Sequence, residues 1–192
     1  MIHGRYDAEK HHRRSIRLQG YDYAQEGVYF VTVCTQDRAC LFGAVADGEM
    51  QLNNSGQIAK TAWDELPARF PSVCLDAFIV MPNHVHGIII VGAQFIAPLD
   101  GFGTATIDQD AINRAPTLGE MVRAYKATST RLIRQAGTPD FAWQRNYYEH
   151  IVRDEESLDR IRQYILDNPA RWAFDHENPA SAAPEPEDAW RA

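Results

Sequence analysis

The residues best placed to do chemistry in this chain are His84 and His86. They lie two apart in the run Met81-Pro82-Asn83-His84-Val85-His86-Gly87, which leads straight into Ile88-Ile89-Ile90-Val91. So β-branched a segment predicts a strand. Residues i and i+2 leave a strand on one face, so the two rings point together. The opposite face is expected to carry Val85 and the alternating isoleucines and to belong to a core. Two convergent imidazoles on an apolar platform suit a shared metal ion. The alternative is a pair of core or surface histidines with ordinary hydrogen bonds.

A second group lies near the C-terminus. A helix is predicted from Asp154 to Glu156 through Asn168, where Pro169 stops it. On it, Arg160, Tyr164 and Asn168 follow at one-turn intervals and share a side, beside an apolar stripe of Leu158, Ile161 and Ile165. That stripe would hold the helix on a sheet and leave Tyr164 at the rim of the buried face, its phenol oxygen free to reach outward. Taken alone, the pattern also describes a packing tyrosine and a helix terminator.

The elements that must position these residues follow from pattern. Val28 to Thr35 reads as a first strand, with a short strand at Glu49 to Leu52 after the turn Asp47-Gly48. Asn53-Asn54-Ser55 offers a cap for a helix to about Phe70, with Ile58, Ala62 and Leu66 on one face and Pro71 at its end. Val73 to Met81 and His84 to Val91 are apolar runs joined by the tight turn Pro82-Asn83, hence antiparallel neighbours. Residues 93–116 lose periodicity and read as an inserted surface loop. Thr117 and Glu120 form a capping box for a helix to about Gln135, with an apolar stripe of Leu118, Met121, Val122, Tyr125, Leu132 and Ile133. A last strand is expected around Tyr147 to Val152. The order predicts an α+β fold: a ferredoxin-like antiparallel sheet with helices on one face and an added C-terminal helix.

The 192 residues and 45% hydrophobic content suit one domain, residues 21–172, with appendages. No apolar run is long enough to span a bilayer, which predicts a soluble, cytoplasmic protein. Cys34, Cys40 and Cys74 show no Cys-x-x-Cys, arguing against a disulfide framework or thiolate zinc site. The net charge of −7 excludes a coat that binds nucleic acid by bulk attraction. Its distribution is uneven, however. Residues 1–20, a basic arm, carry five basic and two acidic side chains, whereas residues 173–192 carry one and five and read as a flexible acidic tail without a core. Sixteen of the 19 basic residues are arginine, the better shape for bidentate phosphate contact.

Four segments occur in order: Tyr29-Phe30-Val31-Thr32, Met81 to Gly87, Trp143-Gln144-Arg145-Asn146-Tyr147-Tyr148-Glu149-His150, and Tyr164-Ile165-Leu166-Asp167-Asn168-Pro169. Together they resemble the single-tyrosine HUH transposases, most of all the REP-associated tyrosine transposases, over roughly residues 13–172. The resemblance implies that His84 and His86 bind a divalent ion, with Asn168, where relatives often carry Gln, as third ligand. It implies Tyr164 as nucleophile, and single-stranded or hairpin DNA as substrate. Two imidazoles and an amide oxygen suit Mg²⁺ or Mn²⁺.

Arg145, Arg160 and Lys126 are candidates to neutralise the reacting phosphate. Arg123, Arg131 and Arg134 are candidates to track the strand, and Arg13 and Arg14 to grip a hairpin foot. Tyr147 and Tyr148 read as structural or base-stacking residues. Glu185, Glu187 and Asp188 are expected to fold over a positive surface and compete with phosphate. The competing functions are a repeat-binding protein whose catalysis has decayed and a metal-dependent hydrolase of a small substrate; either a monomer or a homodimer fits.

Overall fold

The computed structural model describes residues 26–92, 116–186 and 189–191. Arg13, Arg14 and most of the predicted insertion, residues 93–115, lie outside the described residues, as do Glu187 and Asp188.

Four strands form one antiparallel sheet: β1 (Gly27–Cys34), β4 (Val73–Val80), β5 (His84–Val91) and β6 (Tyr148–Val152), in the order β4-β5-β1-β6. This is the strand order of a ferredoxin-like α+β fold, and the pairing at Pro82 is the predicted hairpin, with Val80 opposite Val85. A separate hairpin joins β2 (Gly43–Ala46) to β3 (Glu49–Leu52).

The first face of the sheet is covered by helices α1 (Asn54–Asp64), α2 (Leu66–Arg69) and α3 (Leu118–Gln135). Asn53 caps α1 by accepting from Gly56 N at 3.0 Å, and the capping box of Thr117 and Glu120 starts α3. The single helix expected from Asn54 to Phe70 is instead two. Pro67, near the start of α2, has no N–H to give to the preceding turn, and its ring crowds the carbonyl four residues back. Alternate residues of the central strands, Tyr29, Val31, Val33, Val85 and Ile89, meet Trp63, Met121 and Tyr125 in one apolar core. Gly87 has its place in the His-Val-His-Gly run because a Cβ there would lie 2.3 Å from the indole of Trp63. That indole stacks on Phe78 at 4.6 Å between centroids.

The last helix, α4 (Glu155–Asp167), lies on the opposite face, over Phe30, Ile88 and the histidines. Ile161 and Ile165 are its buried anchors, as the stripe predicts. One expectation is corrected here: Ile88 shares the histidine face, since residues 84, 86 and 88 alternate together, so only Ile89 packs with Val85. Both faces of β5 are buried, which is why its sequence is a continuous apolar run rather than an alternation. Arg162 of α4 donates to both carboxylate oxygens of Asp76, at 3.0 and 2.6 Å, fixing the helix against β4 where its register shifts.

Candidate functional site

Register builds the site. In the β1–β5 ladder Thr32 stands opposite His86 and Cys34 opposite His84. Thr32 Oγ1 meets His86 Nδ1 at 2.9 Å, and Asn83 Oδ1 meets His84 Nδ1 at 2.8 Å. The Asn83 amide donates its two protons to the carbonyls of Arg38 and Glu177, at 3.0 and 2.7 Å, so its oxygen can only accept. His84 therefore carries its proton on Nδ1 and presents a lone pair at Nε2. That atom lies 3.0 Å from Nε2 of His86. Either a proton or a cation between the two nitrogens satisfies them, and Thr32, able to donate or accept, suits both cases. Burial, helped by the Arg38 charge, lowers the pKa of His84 to about 3. Burial and the neighbouring His84 drive that of His86 well below its ordinary value. Both rings are thus neutral, the form in which imidazole binds metal.

The chain brings a carboxylate to the same place. Beyond α4 a turn at Trp172–Phe174 returns Asp175 to the histidines, its Oδ2 3.9 Å from His84 Nε2. Asp175 accepts from Asn168 Nδ2 at 2.9 Å and from the backbone N–H of Glu177 at 2.6 Å. His84, His86 and Asp175 each offer a ligand atom, all within 4.8 Å of one another, and this group can hold a metal ion. Asn168, 2% exposed, leaves its Oδ1 buried without a hydrogen-bond partner. An orphaned amide oxygen beside a carboxylate and two imidazole lone pairs is a donor set that fits a cation. The 3.0 Å separation of the nitrogens also fits adjacent positions around an octahedral ion with bonds of about 2.1 Å.

Tyr164 completes the cluster. Its ring lies 5.3 Å from that of His86 and edge-on to Phe30 at 6.2 Å, the phenol being half-buried. Burial, together with Asp175, Glu185 and Glu177, pushes its pKa up, and Arg171 opposes them. Arg171 is itself engaged, donating to both oxygens of Glu185 at 2.6 Å. Residues 173–186 and 189–191 are therefore not the loose tail the composition predicts. Asp175 and Glu177 are buried, Glu177 forming an ion pair with Arg38 at 2.8 Å, and Trp190 joins the core of Phe30, Ile161 and Ile165.

The structure brings His84, His86, Tyr164 and Asn168 together, with Arg160 one turn before Tyr164. The other predicted basic residues among the described ones are dispersed. Arg123, Lys126, Arg131 and Arg134 sit on α3, whose apolar side packs on the opposite face of the sheet. Lys126 is a clamp: it donates to the carbonyls of Gln144 and Asn146 at 2.8 and 2.9 Å, and burial lowers its pKa to about 8. Arg134 donates to the Phe141 carbonyl at 2.9 Å, and Arg145 is exposed before β6. Tyr147 packs under Lys126, and Tyr148 lies near Phe30. Sequence reading missed Thr32, Asn83, Asp175 and Arg171. Asn83 carried a signal, since it adjoins the histidine pair, but it read as a turn residue.

No family model matches the chain. A Haemophilus influenzae (strain ATCC 51907 / DSM 11121 / KW20 / Rd) protein, described only as uncharacterized, is 43% identical over 175 residues, covering 89% of this chain and 96% of its own length. This chain belongs to that protein's family. A second protein of the same strain bears the provisional name REP-associated tyrosine transposase. It is 23% identical over 155 residues, covering 80% of this chain and 76% of that one. Among solved structures, the REP-associated tyrosine transposase bound to a REP hairpin aligns with a TM-score of 0.47 at 18% identity, covering 81% of this chain and 74% of its own. A provisionally named transposase of Deinococcus radiodurans gives 0.43 at 18%, covering 79% and 95%. Among the described residues no helix is long and apolar enough to cross a membrane.

Proposed function

We propose that this protein is a metal-dependent nuclease and strand transferase of single-stranded DNA at hairpin-forming repeats, with Tyr164 as nucleophile. One observation carries the reading: two neutral imidazoles bring their Nε2 atoms within 3.0 Å of each other beside the ring of a tyrosine on the last helix. The four ordered motifs and the 23% identical relative's name support it.

The phenol oxygen of Tyr164 attacks phosphorus. A P–O bond to tyrosine forms as the P–O3′ bond breaks, the phenol proton passes to solvent, and the departing oxygen takes up a proton to become a free 3′ hydroxyl. The 5′ phosphate stays on Tyr164, so the energy of the broken ester is kept and another 3′ hydroxyl can reverse the exchange. A divalent ion, Mg²⁺ or Mn²⁺, held by His84 and His86 with Asn168 or Asp175, would draw charge from a non-bridging phosphate oxygen and fix the phosphorus for in-line attack. Asn83 sets the tautomer of His84 and Thr32 orients the ring of His86, as hydrogen-bonded neighbours of ligands do. Phe30 and His86 hold the ring of Tyr164, and Arg171 supplies a cation near its oxygen once Glu185 lets go.

Incubation with a hairpin oligonucleotide bearing single-stranded flanks, with Mn²⁺ or Mg²⁺, is expected to give a covalent adduct on denaturing gels. Tyr164→Phe and chelation should each abolish it; an adduct that persists in Tyr164→Phe removes this nucleophile. The raised pKa of Tyr164, and the tail acids behind it, favour a second reading, a repeat-DNA-binding protein without catalysis. Hairpin binding with no cleavage under either ion selects it. Both readings imply a cytoplasmic, nucleoid-associated protein that partners DNA.

A further inference from the structure

On the face that carries Tyr164, a cavity of about 520 Å³ opens at the start of α4, lined by His150, Arg153, Asp154, Arg160, Trp190 and Arg191 among others. Among the described residues that line it, three carry guanidinium groups and one a carboxylate. Asp154 is turned into its own helix, where it accepts from Ser157 N at 2.7 Å. Arg160 meets Glu156 at 2.7 Å in a pair whose carboxylate is 84% exposed. Such a pair contributes little and exchanges readily for a better anion. Guanidinium groups gathered around one hollow attract an anion into it, and planar guanidinium suits the paired oxygens of a phosphate.

The cavity adjoins the tyrosine site. Phe30 packs edge-on against Trp190 at 6.0 Å on one side, and against His86 at 5.4 Å and Tyr164 at 6.2 Å on the other. Arg160 precedes Tyr164 by one helical turn, about 6 Å of rise. That is the scale of a nucleotide step along an extended strand.

We propose that this cavity is a phosphate subsite, formed by Arg153, Arg160 and Arg191, that holds the sugar-phosphate backbone of single-stranded DNA next to the phosphate presented to Tyr164. It rests on the reading of the tyrosine site as one for DNA. The subsite reads backbone and not bases. Trp190 is 4% exposed, covered by His150 at 4.3 Å and by the Arg191 guanidinium at 4.9 Å, so it offers no open ring for a base. Its ligand is thus a phosphodiester of any sequence.

The test measures binding of fluorescent single strands of several sequences to the full chain in a Tyr164→Phe background, across a salt series. Arg153→Ala alone and combined with Arg191→Ala are compared with the parent. The double variant is expected to bind roughly tenfold more weakly at low salt, equally for all sequences. Its slope of log affinity on log salt should flatten by about 0.7 for each phosphate that the variant no longer neutralises. Arg153→Lys should recover part of the affinity, while the thermal midpoint of Arg153→Ala and its Mn²⁺ titration match the parent. Unchanged affinity and slope in both variants, on strands the parent binds, overturn the subsite and leave the tyrosine site standing. Failure of the parent to bind any strand overturns both. Protection by inorganic phosphate that is lost in Arg153→Ala, with strand affinity unaltered, assigns the cavity to the free anion and overturns the strand reading.

Discussion

Two faces of one sheet, made by alternate residues of the same strands, are built to opposite ends. Under α1 and α3 the face of Tyr29, Val31, Val85 and Ile89 is filled by Trp63, Phe78 and Tyr125 and holds the apolar core. Under α4 the face of Phe30, Thr32, His84 and His86 places two imidazoles, a carboxylate and an amide out of contact with water, and the buried Asn168 Oδ1 there has no hydrogen-bond partner. Burying polar groups costs free energy unless each is satisfied. The first face can carry the stability on which the second makes its demands. The contrast teaches that, among the described residues, polar groups able to hold a metal ion are gathered on the histidine face alone of the two.

Substitutions that act on one face and spare the other sharpen this contrast. The largest effect is expected from Trp63→Ala, which empties the stack on Phe78 and should lower stability by about 3–5 kcal/mol in denaturant unfolding. Per folded molecule, metal affinity should be unchanged; a parallel loss of affinity would erase the division between the faces. Thr32→Val keeps the volume and removes the hydroxyl that orients His86. It should weaken Mn²⁺ binding about 10- to 100-fold by titration calorimetry and lower stability by about 1–3 kcal/mol, because the buried His86 Nδ1 loses its partner. Unaltered binding would deny Thr32 its role.

The smallest effect concerns the Arg162–Asp76 link that fixes α4. Its hydrogen bonds from Arg162 lower the pKa of Asp76. A carboxyl depressed in the folded state contributes stability above its unfolded pKa of about 3.9 and loses it as pH falls through the folded value. Because Arg162 is 39% exposed, solvent screening limits the pair. Asp76→Asn should cost about 1 kcal/mol at neutral pH, and nothing once the wild-type carboxyl is protonated. A pH-independent difference would assign the effect to packing.

Much of this was legible from local chemistry. The Pro82-Asn83 turn, the capping box at Thr117 and the one-turn row of Arg160, Tyr164 and Asn168 are short-range signals, and the structure forms each. The basic residues of α3 were not legible as clamps: Lys126 and Arg134 look solvated on a helical wheel, and only the fold brings the carbonyls of Gln144 and Phe141 within their reach. Nor was the C-terminal segment. Asp175 and Trp190 stand alone in a polar stretch with no period, and their partners are set by where α4 ends and which face it covers.

Everything proposed for this protein depends on Tyr164 meeting DNA phosphate beside the imidazole pair. The adduct formed with a hairpin oligonucleotide and Mn²⁺, digested with protease and nuclease, should yield by tandem mass spectrometry a 5′-linked nucleotide on the peptide containing Tyr164, absent when His84 and His86 are replaced by alanine. A nucleotide found on Tyr147 or Tyr148, or on Tyr164 with both histidines gone, would contradict it.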